Sequence, residues 1–142
     1  MQISEDGLDL IKEFEGLRLE AYRPTPDDVL TIGYGHTRGV QEGDVISEAE
    51  ADMWLNDDLV WAEECIDAYV DQPLTQGQFD ALCSFIFNVG CKAFKNSTLC
   101  RLINEGQLDA ACQQFQRWDK QAGKTLPGLV RRREAEAAVF AS

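Results

Sequence analysis

Glu15-Gly16-Leu17-Arg18-Leu19-Glu20-Ala21-Tyr22, followed after a proline-bearing gap by Thr31-Ile32-Gly33-Tyr34-Gly35-His36-Thr37, joins a helix end to a small β-hairpin. Its first half reads as a helix running out into a strand. Ser4 is a good N-cap, acids fill the first turn at Glu5 and Asp6, and Leu8, Ile11 and Glu15 share one face at spacings of three and four. Gly16 supplies the stop. Glu15 therefore sits in the last helical turn on the apolar stripe, aimed toward the interior or a cleft edge rather than plainly into water. Residues 19–22 and 29–34 read as short strands, with turn chemistry at Pro24, Pro26, Asp27 and Asp28 between them. Gly33, Gly35, Gly39 and Gly43 mark further bends. This small antiparallel sheet is expected to be the only β region.

Outward from it the signals are helical. Ser47 and Glu50 form a capping box, and Ala51, Leu55, Leu59, Ala62, Ile66 and Tyr69 recur at helical spacing. Thr75 and Gln78 form a second box that opens a helix over 79–89, apolar on most sides and expected to be buried. Asn88-Val89-Gly90 ends it. Ser97 starts a shorter helix stopped near Gly106, residues 108–118 form another with Ala110, Ala111 and Phe115 inward, and Pro127 fits the first turn of a last helix through Val139. The class is α+β and mainly helical, within one domain. A small antiparallel sheet lobe spans 17–46 and a larger helical lobe spans 70–142 with the N-terminal helix. A long helix over 47–69 links them, and the two lobes are expected to flank a cleft, the usual place for a ligand site.

Composition narrows the function. With 142 residues, 44% of them hydrophobic, the chain can build a real core. It has no apolar run near the roughly 18 residues that span a bilayer, so no stable membrane insertion is expected. Met1-Gln2-Ile3-Ser4-Glu5-Asp6 lacks the basic-then-apolar pattern of a signal peptide or signal anchor. The net charge of −12 argues against nucleic acid, whose phosphates require clustered Lys and Arg. The one basic run, Arg131-Arg132-Arg133, is flanked by acids and reads as a solvated helix face. Cys65, Cys83, Cys91, Cys100 and Cys112 contain no CxxC pair, which removes a zinc or thioredoxin-like reading, and no metal or cofactor is expected. Cys83, inside Ala81-Leu82-Cys83-Ser84-Phe85-Ile86, behaves as a small hydrophobe. The cysteines read as reduced core residues, with one or two disulfides outside the cytoplasm as the alternative.

The candidate chemistry is carboxylate chemistry. Glycoside hydrolysis needs one carboxylic acid to protonate the leaving oxygen and usually a second carboxylate to activate water or attack the sugar. The acid needs partial desolvation. Glu15, between Phe14 and Gly16, suits the donor role, and Asp27 and Asp28 in the facing turn suit the second. Thr31 begins the return strand, where its hydroxyl could hold a water.

Glu15 to Tyr22 with Thr31 to Thr37 resembles the signature of the phage lysozymes of glycoside hydrolase family 24. The likeness continues through Phe79-Asp80-Ala81-Leu82 to Phe87-Asn88-Val89-Gly90, through Ala93-Phe94-Lys95-Asn96-Ser97-Thr98-Leu99, through Phe115-Gln116-Arg117-Trp118 and through Leu126-Pro127-Gly128-Leu129-Val130-Arg131-Arg132-Arg133. It covers nearly the whole chain in order and implies a lysozyme-like fold. It also implies that Glu15 is the catalytic acid, that Thr31 helps position the attacking water, that Phe87 and Asn88 contact sugars and that Trp118 lies near the site. It implies a histidine, here His36, held structurally by a nearby carboxylate. It further implies a last-helix arginine, Arg131 or Arg132, paired with the catalytic glutamate. One departure stands out: with eight residues between it and Glu15, the position where the family places its aspartate or cysteine is Pro24, and with five residues between it and Thr31 it is Thr25. The acids come later, at Asp27 and Asp28, after prolines that fix φ and reshape the turn.

The resemblance implies an endolysin, made without a signal peptide in the host bacterial cytoplasm, released by a holin and acting as a monomer on peptidoglycan glycan strands. Its net charge makes long-range steering to an anionic wall repulsive. Hydrolysis of the bond between N-acetylmuramic acid and N-acetylglucosamine is the expected reaction. A lytic transglycosylase giving 1,6-anhydro products and a non-catalytic glycan-binding phage component are the alternatives.

Overall fold

The computed structural model describes residues 1–142. In chain order it contains α1 (Glu5–Glu15), β1 (Arg18–Tyr22), β2 (Thr31–Gly33), α2 (Glu48–Tyr69), α3 (Gln76–Val89), α4 (Cys91–Lys95), α5 (Thr98–Asn104) and α6 (Leu108–Gln114). A 3₁₀ turn at Phe115–Arg117, β3 (Lys120–Gln121), β4 (Lys124–Thr125) and α7 (Pro127–Ala141) complete it. Two compact units divide the chain, Lys12–Val60 on the one hand and Met1–Ile11 with Trp61–Ser142 on the other, so the division falls inside α1 and inside α2.

In the Lys12–Val60 unit β1 is flanked on both sides. It pairs antiparallel with β2, Arg18 opposite Gly33 and Tyr22 opposite Thr31, with a register slip between. On its other edge Ala21 N donates to Asp44 O and Ile46 N to Leu19 O, each at 2.9 Å. Ile32 and His36 exchange two backbone hydrogen bonds of 2.9 Å, which folds Gly33-Tyr34-Gly35 into a tight turn. That turn needs φ of +66° at Gly33 and +82° at Gly35, the left-handed region that glycine enters without penalty. The expected strand over 29–34 is therefore shorter, because the chain turns back at Gly33 and Val29 is 64% exposed ahead of it. The Ser47–Glu50 capping box forms, Glu50 N donating to Ser47 Oγ at 3.1 Å and Ser47 N to Glu50 Oε1 at 3.2 Å. Ile32, Tyr34, Ile46, Ala51, Leu55 and Leu59 are buried.

The other unit is built on α3. Its run from Gln78 to Ile86 is wholly buried, and the Thr75–Gln78 capping box and the positive φ of Gly90 mark its ends as expected. Phe85 is met edge-on by Phe94, Phe115 and Trp118 at centroid distances of 6.4, 5.5 and 5.3 Å, the geometry the aromatic quadrupole favours. Buried Asp80 ties the chain start to α3: Ser4 N donates to Oδ1 at 3.0 Å and Ser4 Oγ donates to Oδ2. A Cβ at Gly7 would lie 2.7 Å from Asp80 Cγ, so only glycine permits this approach.

Two expectations are corrected here. The helix over 108–118 stops at Gln114 and finishes as a 3₁₀ turn, and β3 and β4 form a second antiparallel hairpin, so the first sheet is not the only β region. Its loop is Ala122-Gly123 with φ of +52° and +80°, a two-residue primed turn that matches strand twist. Ala in place of the usual Asn or Asp hides that turn from the sequence.

The cysteine reading is corrected in part. Cys65 of α2 and Cys91 of α4 are joined in a disulfide with Cα atoms 5.9 Å apart, while Cys83, Cys100 and Cys112 are free. Burial, reinforced by Glu63, Asp80 and Asp67, pushes the Cys83 thiol far above its ordinary value, so it is an inert core residue. The disulfide spans a sequence separation of 26 residues. Closing a loop of that size removes denatured-state entropy worth about 3.5 kcal/mol. Urea unfolding with and without dithiothreitol should show an unfolding free energy lower by that order on reduction, and Cys91→Ser should unfold at the reduced midpoint whether or not reductant is present.

Candidate active site

Glu15 is the final residue of α1 and is half-buried. Gly16 follows with φ of +71°, and its N–H donates back to Lys12 O at 3.1 Å, closing the helix where the sequence placed the stop. The carboxylate lies against the backbone of the glycine turn, where a Cβ on Gly35 would come within 3.0 Å of Glu15 Oε1. Lys12, one turn earlier, pairs with Asp52 at 2.9 Å and lies 5.5 Å from the centre of the Tyr34 ring. The helix end is thus fastened to the hairpin it faces.

Thr31 opens β2 and is buried, and its hydroxyl donates to Val29 O at 3.1 Å. With its proton committed there, the oxygen keeps lone pairs for accepting from a water. His36 is held at both nitrogens: Nδ1 lies 2.7 Å from Asp58 Oδ2 and Nε2 lies 2.8 Å from Arg38 O, with the ring 4.7 Å from that of Trp54. Asp58 is the carboxylate that the resemblance implied without naming it.

Asp27 and Asp28 lie in an exposed turn in which Asp28 N donates to Thr25 O at 3.0 Å. Pro26 occupies the second position of that turn, where its fixed φ belongs. Arg23 Nη1 caps the turn by donating to Asp28 O at 2.8 Å. Both acids belong to the same compact unit as Glu15 and Thr31.

Phe87, Asn88 and Trp118 group in the other unit. Phe87 and Asn88 are the first residues of α3 to leave the buried run. Trp118 packs on Phe85, and its carbonyl accepts from Arg133 Nε at 2.9 Å. Arg133 also donates to Asn88 Oδ1 and to Glu136 Oε1. Arg132 Nε donates to Glu136 Oε2 at 3.2 Å and Arg132 Nη2 to Ser84 O at 3.0 Å, while Ser84 Oγ donates to the same carboxylate. Desolvation lowers Arg133 from the ordinary guanidinium value, and Glu136 opposes it.

The basic run is therefore no solvated face. Only Arg131 is exposed; Arg132 and Arg133 are buried around Glu136, whose exposure is 0%. Sequence reading missed this cluster because Arg132–Glu136 and Arg133–Glu136 have the spacing of ordinary surface pairs. The available signal was Ser84 within the otherwise apolar run from Ala81 to Phe87.

Chemically, one unit offers a half-buried carboxyl and a hydroxyl able to accept from water, and the other offers aromatic faces and an oriented amide. No group of three or more His, Cys, Asp or Glu is placed to hold a metal ion, and no helix is long and apolar enough to cross a membrane.

Residues 12–136 match the family model described as phage lysozyme. The endolysin of Acyrthosiphon pisum secondary endosymbiont phage 1 is 44% identical over 146 residues, covering 100% of this chain and 99% of that protein. The endolysin of Bacillus phage B103 is 45% identical over 142 residues, and there the chain spans 54% of the relative's length. The solved muramidase domain of SpmX from Asticaccaulis excentricus has a TM-score of 0.93 at 42% identity, covering 99% of this chain and 98% of that one. Matched by a family model over most of its length and by a full-length relative at this identity, the chain belongs to the phage lysozyme family.

Proposed function

We propose that this phage lysozyme is an endolysin that hydrolyses the β-1,4 bond between N-acetylmuramic acid and N-acetylglucosamine in bacterial peptidoglycan, lysing the host cell, with Glu15 as proton donor. The observation that carries the proposal is the position of Glu15, half-buried at the end of α1 with its carboxyl against the Gly35 turn of the hairpin that begins at Thr31. A general acid must stand within hydrogen-bond reach of the leaving oxygen, and a helix end held against a turn fixes where that carboxyl sits.

In the reaction Glu15 gives its proton to the glycosidic oxygen as the bond to the anomeric carbon breaks. Water adds its oxygen to that carbon and surrenders a proton. Thr31, its own proton directed to Val29 O, holds this water by accepting a hydrogen bond and so turns a water lone pair toward the sugar. Asp27 and Asp28, in their exposed turn, supply the receiving carboxylate. Attack by a water from the opposite face gives inversion. Phe87, Asn88 and Trp118 contact the sugars. The enzyme acts on the cell wall as a monomer, after synthesis in the cytoplasm and release through a holin.

Glu15→Gln should lower turnover of purified peptidoglycan by about 10²–10⁴-fold, the usual contribution of a general acid. Mass spectrometry of wild-type products should show reducing ends carrying one added water; 1,6-anhydro ends would establish transglycosylation instead. Asp27→Asn and Asp28→Asn should each cost little and the double substitution much, and full activity of the double variant would remove both from the mechanism. Gly35→Ala should cost about 1–2 kcal/mol in stability through its left-handed φ. Because its methyl displaces the Glu15 carboxylate, activity at a temperature where the variant stays folded should fall by about 10–100-fold. A melting curve beside the rate measurement checks both.

A further inference from the structure

Trp61 lies off the buried stripe of α2 and is 40% exposed. It is not loose. Its ring stacks on Phe87 of α3, with centroids 6.1 Å apart and planes inclined by 25°. Phe87 is where α3 leaves the core, and the next residue, Asn88, is exposed. The Asn88 amide has a fixed sense, because Arg133 donates to Oδ1 and leaves Nδ2, a donor of two protons, to donate elsewhere. Arg133 is itself locked by Glu136 and the Trp118 carbonyl. One edge of the helical unit thus presents two nearly parallel aromatic rings followed by an oriented N–H donor.

We propose that Trp61 is a sugar-stacking residue: it extends the Phe87–Asn88 contact surface into a platform on which an N-acetylhexosamine of the glycan strand lays its apolar ring face, with an acetamido or hydroxyl oxygen accepting from Asn88 Nδ2. This rests on the proposed action on peptidoglycan glycan. The chemistry fits such a ring specifically. A pyranose with equatorial substituents has an apolar C–H face that packs on an aromatic ring, and its polar rim seeks donors at the ring edge. Phe87 supports Trp61 from behind, so little side-chain entropy is lost on binding. Because stacking acts on ground state and transition state alike, Trp61 contributes to binding and not to the chemical step.

The test measures kcat and KM on soluble, peptide-free glycan fragments for wild type, Trp61→Ala, Trp61→Gln and Trp61→Phe, with melting curves to establish folding. Calorimetric binding of a chitin oligosaccharide is measured in the Glu15→Gln background with and without Trp61→Ala. Trp61→Ala and Trp61→Gln should each raise KM about tenfold with kcat within about twofold, and Trp61→Phe should recover most of the loss. The oligosaccharide should bind about tenfold more weakly without the indole. Unchanged KM and unchanged oligosaccharide affinity in a folded Trp61→Ala protein would overturn the platform and leave the muramidase reading intact. A fall in kcat alone would also overturn it. Wild-type protein that binds the oligosaccharide but releases no sugar from the fragments would overturn the muramidase reading and leave the platform standing.

Discussion

Inside the helical unit one carboxylate is shared by two guanidinium groups, and the setting of Asn88 at the end of α3 depends on that arrangement. Glu136 has no exposure and Arg133 only 1%, so three charged groups with Arg132 have been taken almost wholly out of water. Such burial costs several kcal/mol per ion and is tolerated only where the remaining donors and acceptors are satisfied. Here they are, by Ser84 from α3, by Asn88 from α3 and by the carbonyl of Trp118. Each partner outside α7 is thereby fixed. The network gains little as a source of stability over a hydrophobic core, but it ties α7 to α3 and sets the direction in which Asn88 presents its amide.

The sheet-bearing unit is fixed by different means. A helix stop at Gly16, a glycine turn closed by the Ile32–His36 bonds and an imidazole pinned between Asp58 and Arg38 define the position of Glu15 from the backbone outward. The stop and the glycine turn are short-range devices, in which chemistry within a few residues dictates local geometry, whereas the His36–Asp58 contact joins residues 22 apart. That is why the Gly16 stop was readable in the sequence, together with the two capping boxes and the end of α3 at Gly90, while the turn at 33–35 lay hidden at the end of an expected strand and Asp58 carried no local signal.

What escaped the sequence is what depends on approach between distant segments or on an atypical residue in a common role. Cys65 and Cys91 pair across a separation of 26 residues that carries no recognisable spacing. The β3–β4 hairpin turns on Ala122, which ordinarily avoids positive φ. Arg132 and Arg133 look like a helix surface until Ser84 and Glu136 are seen to converge on them. Trp61 fell between the periodic positions of α2, and only its stacking on Phe87 shows that its exposure is organised. The family resemblance supplied the roles of Glu15 and Thr31; periodicity alone placed Glu15 on an apolar face and could go no further.

The turn from Thr25 to Asp28 differs in kind from everything around it. It is held by one backbone bond of its own and by Arg23, and its side chains stand in water. Residues can be inserted, deleted or exchanged there without opening a cavity, whereas Glu15 and Thr31 are anchored on either side of it. Distance counted along the chain is consequently a poor ruler for this site. An acid can slide by several positions in the primary structure while both anchors stay in place, so that a departure from familiar spacing records slack in a loop and not disassembly of the enzyme.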